Sequence, residues 1–246
     1  MVANNVNSNC FSLTVMQQFI TVAMCCFMVS RANPITAPPT TALPTMVGTT
    51  QSTYQSYLLI VQEIEMLRAK FTPMVNRFLA SRFYDDFPSQ RTDRLLQSDA
   101  QAPRMDILGF LTVTDDMPPA FERHDMTEEQ LLPKHKLFLE TYEEVMRSLK
   151  TEEILALRTS PESYSVDFTD DYDTSSIQIY RLLHKVSELM STLNIDDEGS
   201  ETFEGFEAVP HNSQIHNTRS LYVLQRIDEY IYTALVDFNR LLSLSN

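Results

Sequence analysis

Hydrophobic residues recur at three- and four-residue steps in four long stretches of the chain, which indicates amphipathic helices. We place these helices at segment A (about 52–83), segment B (about 128–157), segment C (about 175–194) and segment D (about 217–244). Segment D has the clearest period, with apolar positions at Leu221, Leu224, Ile227, Ile231, Ala234, Phe238 and Leu241. Four helices with one apolar stripe each can bury those stripes against one another as a bundle.

Local sequence signals indicate where two of these helices begin and where two of them bend. Thr127-Glu128-Glu129-Gln130 has the pattern of a capping box at the start of segment B. Thr174 or Ser175 is a plausible N-cap for segment C. Pro73 lies inside segment A and predicts a kink there, because proline removes one backbone hydrogen bond of the helix. Pro133 predicts a delayed or bent first turn in segment B.

The lengths of the connections predict how the helices are arranged. About 43 residues join A to B, about 17 join B to C and about 22 join C to D. Parallel neighbours need a connection that spans the whole bundle, whereas antiparallel neighbours do not. The sequence therefore predicts an all-α protein, a long-chain four-helix bundle with up-up-down-down topology and two long crossover loops. The bundle domain is placed at 51–246.

The N-terminal residues predict export from the cell. The first charged residue is Arg31, and Phe19–Val29 is an apolar run of eleven residues. Small residues at Ser30 and Ala32 fit cleavage after Ala32, so residues 1–32 are predicted to be a secretory signal peptide. A disordered apolar tail or a short membrane anchor are the alternatives, because the start of the segment lacks Lys and Arg. Residues 33–50 are rich in Pro and Thr and are predicted to form a flexible linker, with O-glycosylation left open.

Cysteine usage changes the picture of the mature protein. Cys10, Cys25 and Cys26 all lie in the predicted signal peptide. The mature chain would then have no disulfide, no zinc site with cysteine ligands and no thiol nucleophile. We expect a secreted, extracellular domain that is held together by its hydrophobic core alone.

Composition excludes several classes of partner. The net charge of −14 argues against binding to nucleic acid and to anionic lipid, both of which favour basic surfaces. The apolar run is shorter than the roughly 20 residues of a membrane span, so we expect no membrane insertion of the mature chain. Four glycines among 246 residues are too few for glycine-rich phosphate loops or for many tight β-turns.

No catalytic or metal-binding constellation emerges from the sequence. The Glu-x-x-His pairs of a di-iron bundle, the EF-hand pattern and the Gly-x-Ser-x-Gly motif are all missing. Acidic clusters occur at 85–86, 115–116, 170–173 and 196–198, and each is predicted to lie in a solvated loop. His184 is interpreted as a boundary histidine beside the core stripe of segment C. We therefore expect no cofactor, no metal and no enzymatic activity.

A resemblance appears in segment D. Leu224–Leu242 resembles the last helix of the interleukin-6 family of helical cytokines, in the branch of ciliary neurotrophic factor and cardiotrophin-like cytokine. Its most specific part is Asp237-Phe238-Asn239-Arg240-Leu241. Residues 117–146 are more weakly similar to the region around the second helix of that branch. Phe78-Leu79 and the later stretch 85–95 are similar to the end of its first helix.

This resemblance implies a secreted cytokine that assembles class I cytokine receptors and triggers JAK-STAT signalling. The family binds a non-signalling receptor through the C-terminal part of the fourth helix and the end of the A–B loop. The corresponding residues here are Arg226, Tyr232, Val236, Asp237 and Arg240. The family binds its shared signal-transducing receptor through the outer faces of the first and third helices. The corresponding residues here are Leu59, Glu63, Met66, Arg181, Lys185 and Glu188.

One motif of that branch is missing. A third surface, at the start of the fourth helix, carries Phe-x-x-Lys for the leukaemia inhibitory factor receptor. Alignment on residues 237–241 places Gln214 and Asn217 there, which leaves this receptor in doubt or implies a divergent partner. Some members also require a co-secreted partner.

Three functions are alternatives to a cytokine. A secreted helical carrier of a lipid or hormone requires an internal cavity, and an enzyme requires convergent polar groups. The third alternative is an intracellular helical adaptor.

Overall fold

Long helices carry most of the residues that the computed structural model describes, which are 48–83, 107–196, 203–206 and 213–245. These residues are all-α apart from one very short β-ladder. In chain order the elements are α1 (Gly48–Phe83), β1 (Ile107–Leu108), α2 (Val113–Asp116), α3 (Ala120–Arg123), α4 (Glu128–Thr159), α5 (Thr169–Leu193), β2 (Gly205–Phe206) and α6 (Ser213–Leu244). A 3₁₀ turn, Pro161–Ser163, follows α4. The predicted all-α class is confirmed.

Segments A, B, C and D correspond to α1, α4, α5 and α6. The predicted start of segment C is wrong, because α5 begins at Thr169 rather than near Ser175. Asp170 and Asp171 lie in its first turn, where carboxylates are favoured by the positive end of the helix dipole. The acidic cluster 170–173 is therefore helical rather than part of a loop. Asp115 and Asp116 likewise belong to a helix, the four-residue α2.

The apolar stripes of the four long helices meet in one core. Aromatic side chains fill much of it, and the rings of Phe138 on α4 and Tyr230 on α6 are stacked at 5.3 Å. Tyr142 meets Tyr230 edge-on at 5.2 Å. Phe78 of α1 meets Phe168 edge-on at 5.1 Å, just before α5 begins. Such ring pairs add attraction beyond the burial of apolar area, so they help to fix how the helices pack.

Helix α1 runs in the opposite direction to both α5 and α6. Near its start, the ring of Tyr57 lies 6.4 Å from that of Phe238, near the end of α6. Further along α1, Thr72 Oγ1 lies 3.4 Å from Asp228 Oδ1, which is earlier in α6. Against α5, Lys70 Nζ contacts Gln178 Oε1 at 3.4 Å, and the later residue Arg77 pairs with the earlier residue Asp171. Later residues of α1 therefore contact earlier residues of α5 and α6, so α1 is antiparallel to both helices.

Helix α4 also runs in the opposite direction to α5 and α6. The Lys150 ammonium lies 2.6 Å from Asp173 Oδ1 of α5, and Glu153 accepts a hydrogen bond from the amide of Phe168, earlier in the chain. Against α6, His135 packs on Phe238 with ring centres 4.8 Å apart. Near the end of α4, Glu152 pairs with Arg219, near the start of α6. Thus α1 and α4 are each antiparallel to both α5 and α6.

The two long connections meet in the β-ladder. Strand β1 lies between α1 and α4, strand β2 lies between α5 and α6, and they pair antiparallel, with Ile107 opposite Phe206 and Leu108 opposite Gly205. Gly109 and Gly205 both adopt positive φ angles, +69° and +107°. The connection from α1 to α4 therefore pairs with the connection from α5 to α6 through this ladder.

Several sequence predictions fall on residues outside the described part of the chain. They are the signal peptide at 1–32, most of the linker at 33–50, and the acidic residues at 85–86 and 197–198. Helix α1 begins at Gly48, within the last three positions of the predicted linker. In the described helices, no stretch is both long enough and apolar enough to cross a membrane.

Candidate functional site

The first candidate surface combines the outer sides of α1 and α5. Leu59 and Met66 are 47% and 45% exposed and lie one heptad apart on α1. Leu59 borders an open groove of about 390 Å³ together with Lys185 and Glu188 of α5. The structure therefore brings together side chains that the resemblance assigned to one binding surface. We call this set the α1/α5 surface, and its residues are Leu59, Glu63, Met66, Arg181, Lys185 and Glu188.

Charged residues of the α1/α5 surface differ in how freely they can meet a partner. Glu63 is half-buried and accepts a 2.7 Å hydrogen bond from Gln178 Nε2. Gln178 is itself only 2% exposed, so this contact fixes α1 against α5. Glu188 lies near His184 on the outside of α5, and Arg181 is exposed. His184 is exposed, so its interpretation as a boundary histidine is wrong.

The second candidate surface follows one side of α6. Tyr232 and Val236, one turn apart, are 62% and 48% exposed. Tyr232 also borders an open groove of about 540 Å³, which is shared with Arg68 and Thr72 of α1 and with Val113 of α2. An exposed tyrosine beside a groove is a residue type enriched at binding hot spots. We call the set Arg226, Tyr232, Val236 and Arg240 the α6 surface.

The two arginines of the α6 surface also make contacts within the protein. Arg226 Nη1 lies 2.7 Å from a carboxylate oxygen of Glu229. Arg240 donates hydrogen bonds to the carbonyl oxygens of His124, at 2.8 Å, and Met126, at 3.3 Å. Arg240 thereby fastens the residues that precede α4 to the end of α6, so this part of the surface includes both segments.

Asp237 does not share the exposure of its neighbours. It is 4% exposed, and its Oδ2 accepts a 2.8 Å hydrogen bond from Arg123 Nε. His135 Nε2 lies 3.4 Å from the same oxygen. Burial alone would raise the pKa of Asp237, but His135 and Arg123 together hold it below its usual range. The carboxylate is therefore occupied inside the protein and is not presented to a partner.

Sequence reasoning missed the partners of Asp237. His135 falls on the apolar stripe of segment B, between Leu131 and Phe138, and it is 0% exposed. A histidine at that spacing was the available signal for a buried polar contact. Arg123 is only 5% exposed and reaches Asp237 from α3, a helix that the sequence did not predict.

Further exposed apolar residues lie outside the predicted surfaces. Phe121 on α3 is 73% exposed, and Ile177 and Tyr180 on α5 are 48% and 52% exposed. At the start of α6, where the third surface was expected, Gln214 is exposed while Asn217 is 9% exposed. The position aligned with the lysine of Phe-x-x-Lys is thus buried as well as different in sequence.

Within 48–83, 107–196, 203–206 and 213–245, no group of three or more His, Cys, Asp or Glu side chains is arranged to hold a metal ion. Comparison with known proteins found no family model and no curated sequence that matches the chain.

Proposed function

We propose that the chain is a secreted helical cytokine that binds class I cytokine receptors and triggers JAK-STAT signalling. In this proposal α1, α4, α5 and α6 form a long-chain four-helix bundle with up-up-down-down topology. The observation that carries the proposal is the direction of the helices. Helices α1 and α4 each run antiparallel to both α5 and α6, and long connections follow α1 and α5.

Two exposed faces support a role in receptor assembly, because assembly requires one molecule to contact two receptors. We assign the α1/α5 surface to the shared signal-transducing receptor of the interleukin-6 family. We assign the α6 surface to a related, non-signalling receptor. Each contains exposed apolar side chains, Leu59 and Met66 on one and Tyr232 and Val236 on the other. Apolar and aromatic anchors of this kind supply most of the affinity in protein interfaces.

The proposal is tested by expressing the full chain in a secretory cell line. The medium is analysed by N-terminal sequencing and applied to cells that carry the shared receptor, with STAT phosphorylation as the readout. We expect a mature chain that starts near Asn33 and a saturable STAT response. A folded, secreted chain that is silent on every receptor-bearing line would contradict the receptor assignment, and an uncleaved chain retained in the cell would contradict the whole proposal.

A further inference from the structure

A cluster of buried polar groups joins α3, α4 and α6. Its members are Arg123, His135, Tyr230 and Asp237, and we call it the His135 cluster. Asp237 Oδ2 lies 2.8 Å from Arg123 Nε and 3.4 Å from His135 Nε2. His135 Nδ1 lies 3.2 Å from the hydroxyl oxygen of Tyr230. The histidine is 0% exposed, so its ring reaches water only if part of this packing opens.

The geometry offers neutral His135 two tautomers, and each of them leaves one of these contacts unmade. The Tyr230 hydroxyl donates to the backbone carbonyl of His135 at 3.2 Å, so Nδ1–H would have to donate to the Tyr230 oxygen. In that tautomer Nε2 carries a lone pair that faces the Asp237 carboxylate. The other tautomer satisfies Asp237 but requires Tyr230 to donate to Nδ1 instead of the carbonyl. A doubly protonated ring would satisfy every acceptor, but it would be a charged group in a fully buried site.

Charges from the neighbouring elements act on this ring in opposite directions. Burial lowers the pKa of His135, Asp237 raises it and Arg123 lowers it, and the net shift is below the ordinary value of 6.5. From α1, Tyr57 donates to Glu128 at 2.6 Å, and the Tyr57 ring lies 6.4 Å from that of Phe238, which packs on His135. Arg240 of α6 acts electrostatically on the hydroxyl of Tyr57. The charged residues Lys185 and Glu188 of α5 line the groove at Leu59.

The cover of the cluster is the segment 118–126, which contains the four-residue α3. Arg123 Nη1 donates to the carbonyl of Pro118 at 2.7 Å, and Arg240 donates to the carbonyls of His124 and Met126. Short segments held by a few polar contacts open at lower free energy than long packed helices. Lifting this segment would expose Asp237, and through it Nε2 of His135, while α1, α4, α5 and α6 stay packed.

We propose that segment 118–126 is an acid-sensitive clip, released from α6 when His135 is protonated. The reason is that the ring accepts a proton more readily in the opened form, where water reaches it and Arg123 is withdrawn from Asp237, than under the closed clip. The closed clip has its full stability above about pH 6.5. It loses this stability as the pH falls towards the lowered pKa of the buried His135 ring. One proton is taken up, so opening increases by at most about tenfold per pH unit.

A consequence for partner binding rests on the proposed function. Arg240 belongs to the α6 surface and contacts the clip directly. Release of the clip would therefore alter that surface and weaken a receptor contact in acidic compartments. The clip itself is a property of the chain alone, so it can be measured without any receptor.

The test is hydrogen–deuterium exchange of the full chain between pH 7.5 and 5.5, corrected for the intrinsic pH dependence of exchange. We expect peptides that cover 118–126 to open more at pH 5.5 than at pH 7.5, by at most about tenfold, while peptides from the middle of α6 remain protected. The His135→Gln variant should lose this pH dependence. The matched control is His184→Gln, which changes an exposed histidine on α5 and should behave as the wild type.

Three results would overturn the inference. They are an unchanged opening of 118–126 at pH 5.5, an equal loss of protection along the whole chain, and a wild-type response in His135→Gln. If His135→Gln does not fold, NMR titration of the His135 ring in the wild type decides. A pKa of the His135 ring below 6.5, together with the loss of clip protection, supports the inference. A pKa at or above 6.5 under a closed clip contradicts it.

Discussion

Arg82 and Glu153 form an ion pair inside the protein, with side chains that are 1% and 0% exposed. The pair joins the end of α1 to the end of α4. Arg82 also donates to the carbonyl oxygen of Val166 at 2.8 Å and stacks on the ring of Tyr164, 4.2 Å from its centre. Glu153 accepts a further hydrogen bond from the amide of Phe168. One buried pair therefore ties two helices to the segment that leads into α5.

We expect removal of either partner of this pair to be strongly destabilising. In Arg82→Met, the Glu153 carboxylate would be left buried without its cation, at a cost of about 3–5 kcal/mol in the free energy of unfolding. Glu153→Leu would leave the guanidinium buried without its anion, with a similar cost. Urea-induced unfolding followed by circular dichroism measures both changes.

The double variant Arg82→Met/Glu153→Leu is the control for this prediction. It leaves no unpaired charge, so its loss of stability should be clearly smaller than the sum of the two single losses. Strictly additive losses would show that the two side chains contribute independently and that the ion pair itself is unimportant for stability.

Tyr57 connects α1 to the start of α4 through its 2.6 Å hydrogen bond to Glu128. Because the acceptor is a carboxylate, Tyr57→Phe should cost about 1.5–3 kcal/mol of unfolding free energy. The matched control is Tyr180→Phe, which removes the hydroxyl of a tyrosine that is 52% exposed on α5. An equal effect of the two substitutions would argue against a structural role for the Glu128 contact.

Asp237→Asn tests whether Asp237, which the resemblance assigned to receptor binding, contributes to the stability of the fold. The substitution removes the charge that pairs with Arg123, so we expect a loss of about 3–5 kcal/mol in stability. The pKa of Asp237 is held below its usual value of 3.8 by His135 and Arg123, against the effect of burial. Its contribution is therefore present above about pH 3.8 and is lost as the pH falls through the lowered value, a dependence that the variant should lack.

Partner affinity should respond to the exposed residues of the α6 surface. Tyr232→Ala removes an aromatic side chain that is 62% exposed, and we expect receptor binding to weaken about 5- to 30-fold with unchanged unfolding. Tyr180→Ala on α5 is the matched control, since it removes a comparably exposed tyrosine outside both predicted surfaces. Equal binding of the two variants to receptor-bearing cells would remove Tyr232 from the site.

The long helices could be predicted because their periodicity extends over many turns. The capping box of α4 is confirmed in the hydrogen bond from the amide of Thr127 to Gln130, at 3.0 Å. The start of α5 was missed because its first turn is acidic and has no apolar stripe. Arg77 of α1 pairs with Asp171 in that turn and Lys150 of α4 pairs with Asp173 just after it, and such contacts between distant residues leave no trace in a local pattern.

The candidate surfaces could be predicted only in part. Exposure of Leu59, Met66, Tyr232 and Val236 follows from helical spacing, because residues opposite an apolar stripe face outwards. The burial of Asp237 could not be predicted from helical spacing. It depends on Arg123, which lies 114 positions away and approaches from a four-residue helix with no period of its own.

The ladder between β1 and β2 affects where the chain can be modified. Two of the four glycines in the sequence, Gly109 and Gly205, lie at this ladder and have φ angles that other residues rarely adopt. A fusion tag, a new chain terminus or an inserted epitope placed at 107–109 or 205–206 would therefore disturb both long connections at once. The last turn of α6, where Ser243 and Leu244 are exposed, is the better attachment point for a label.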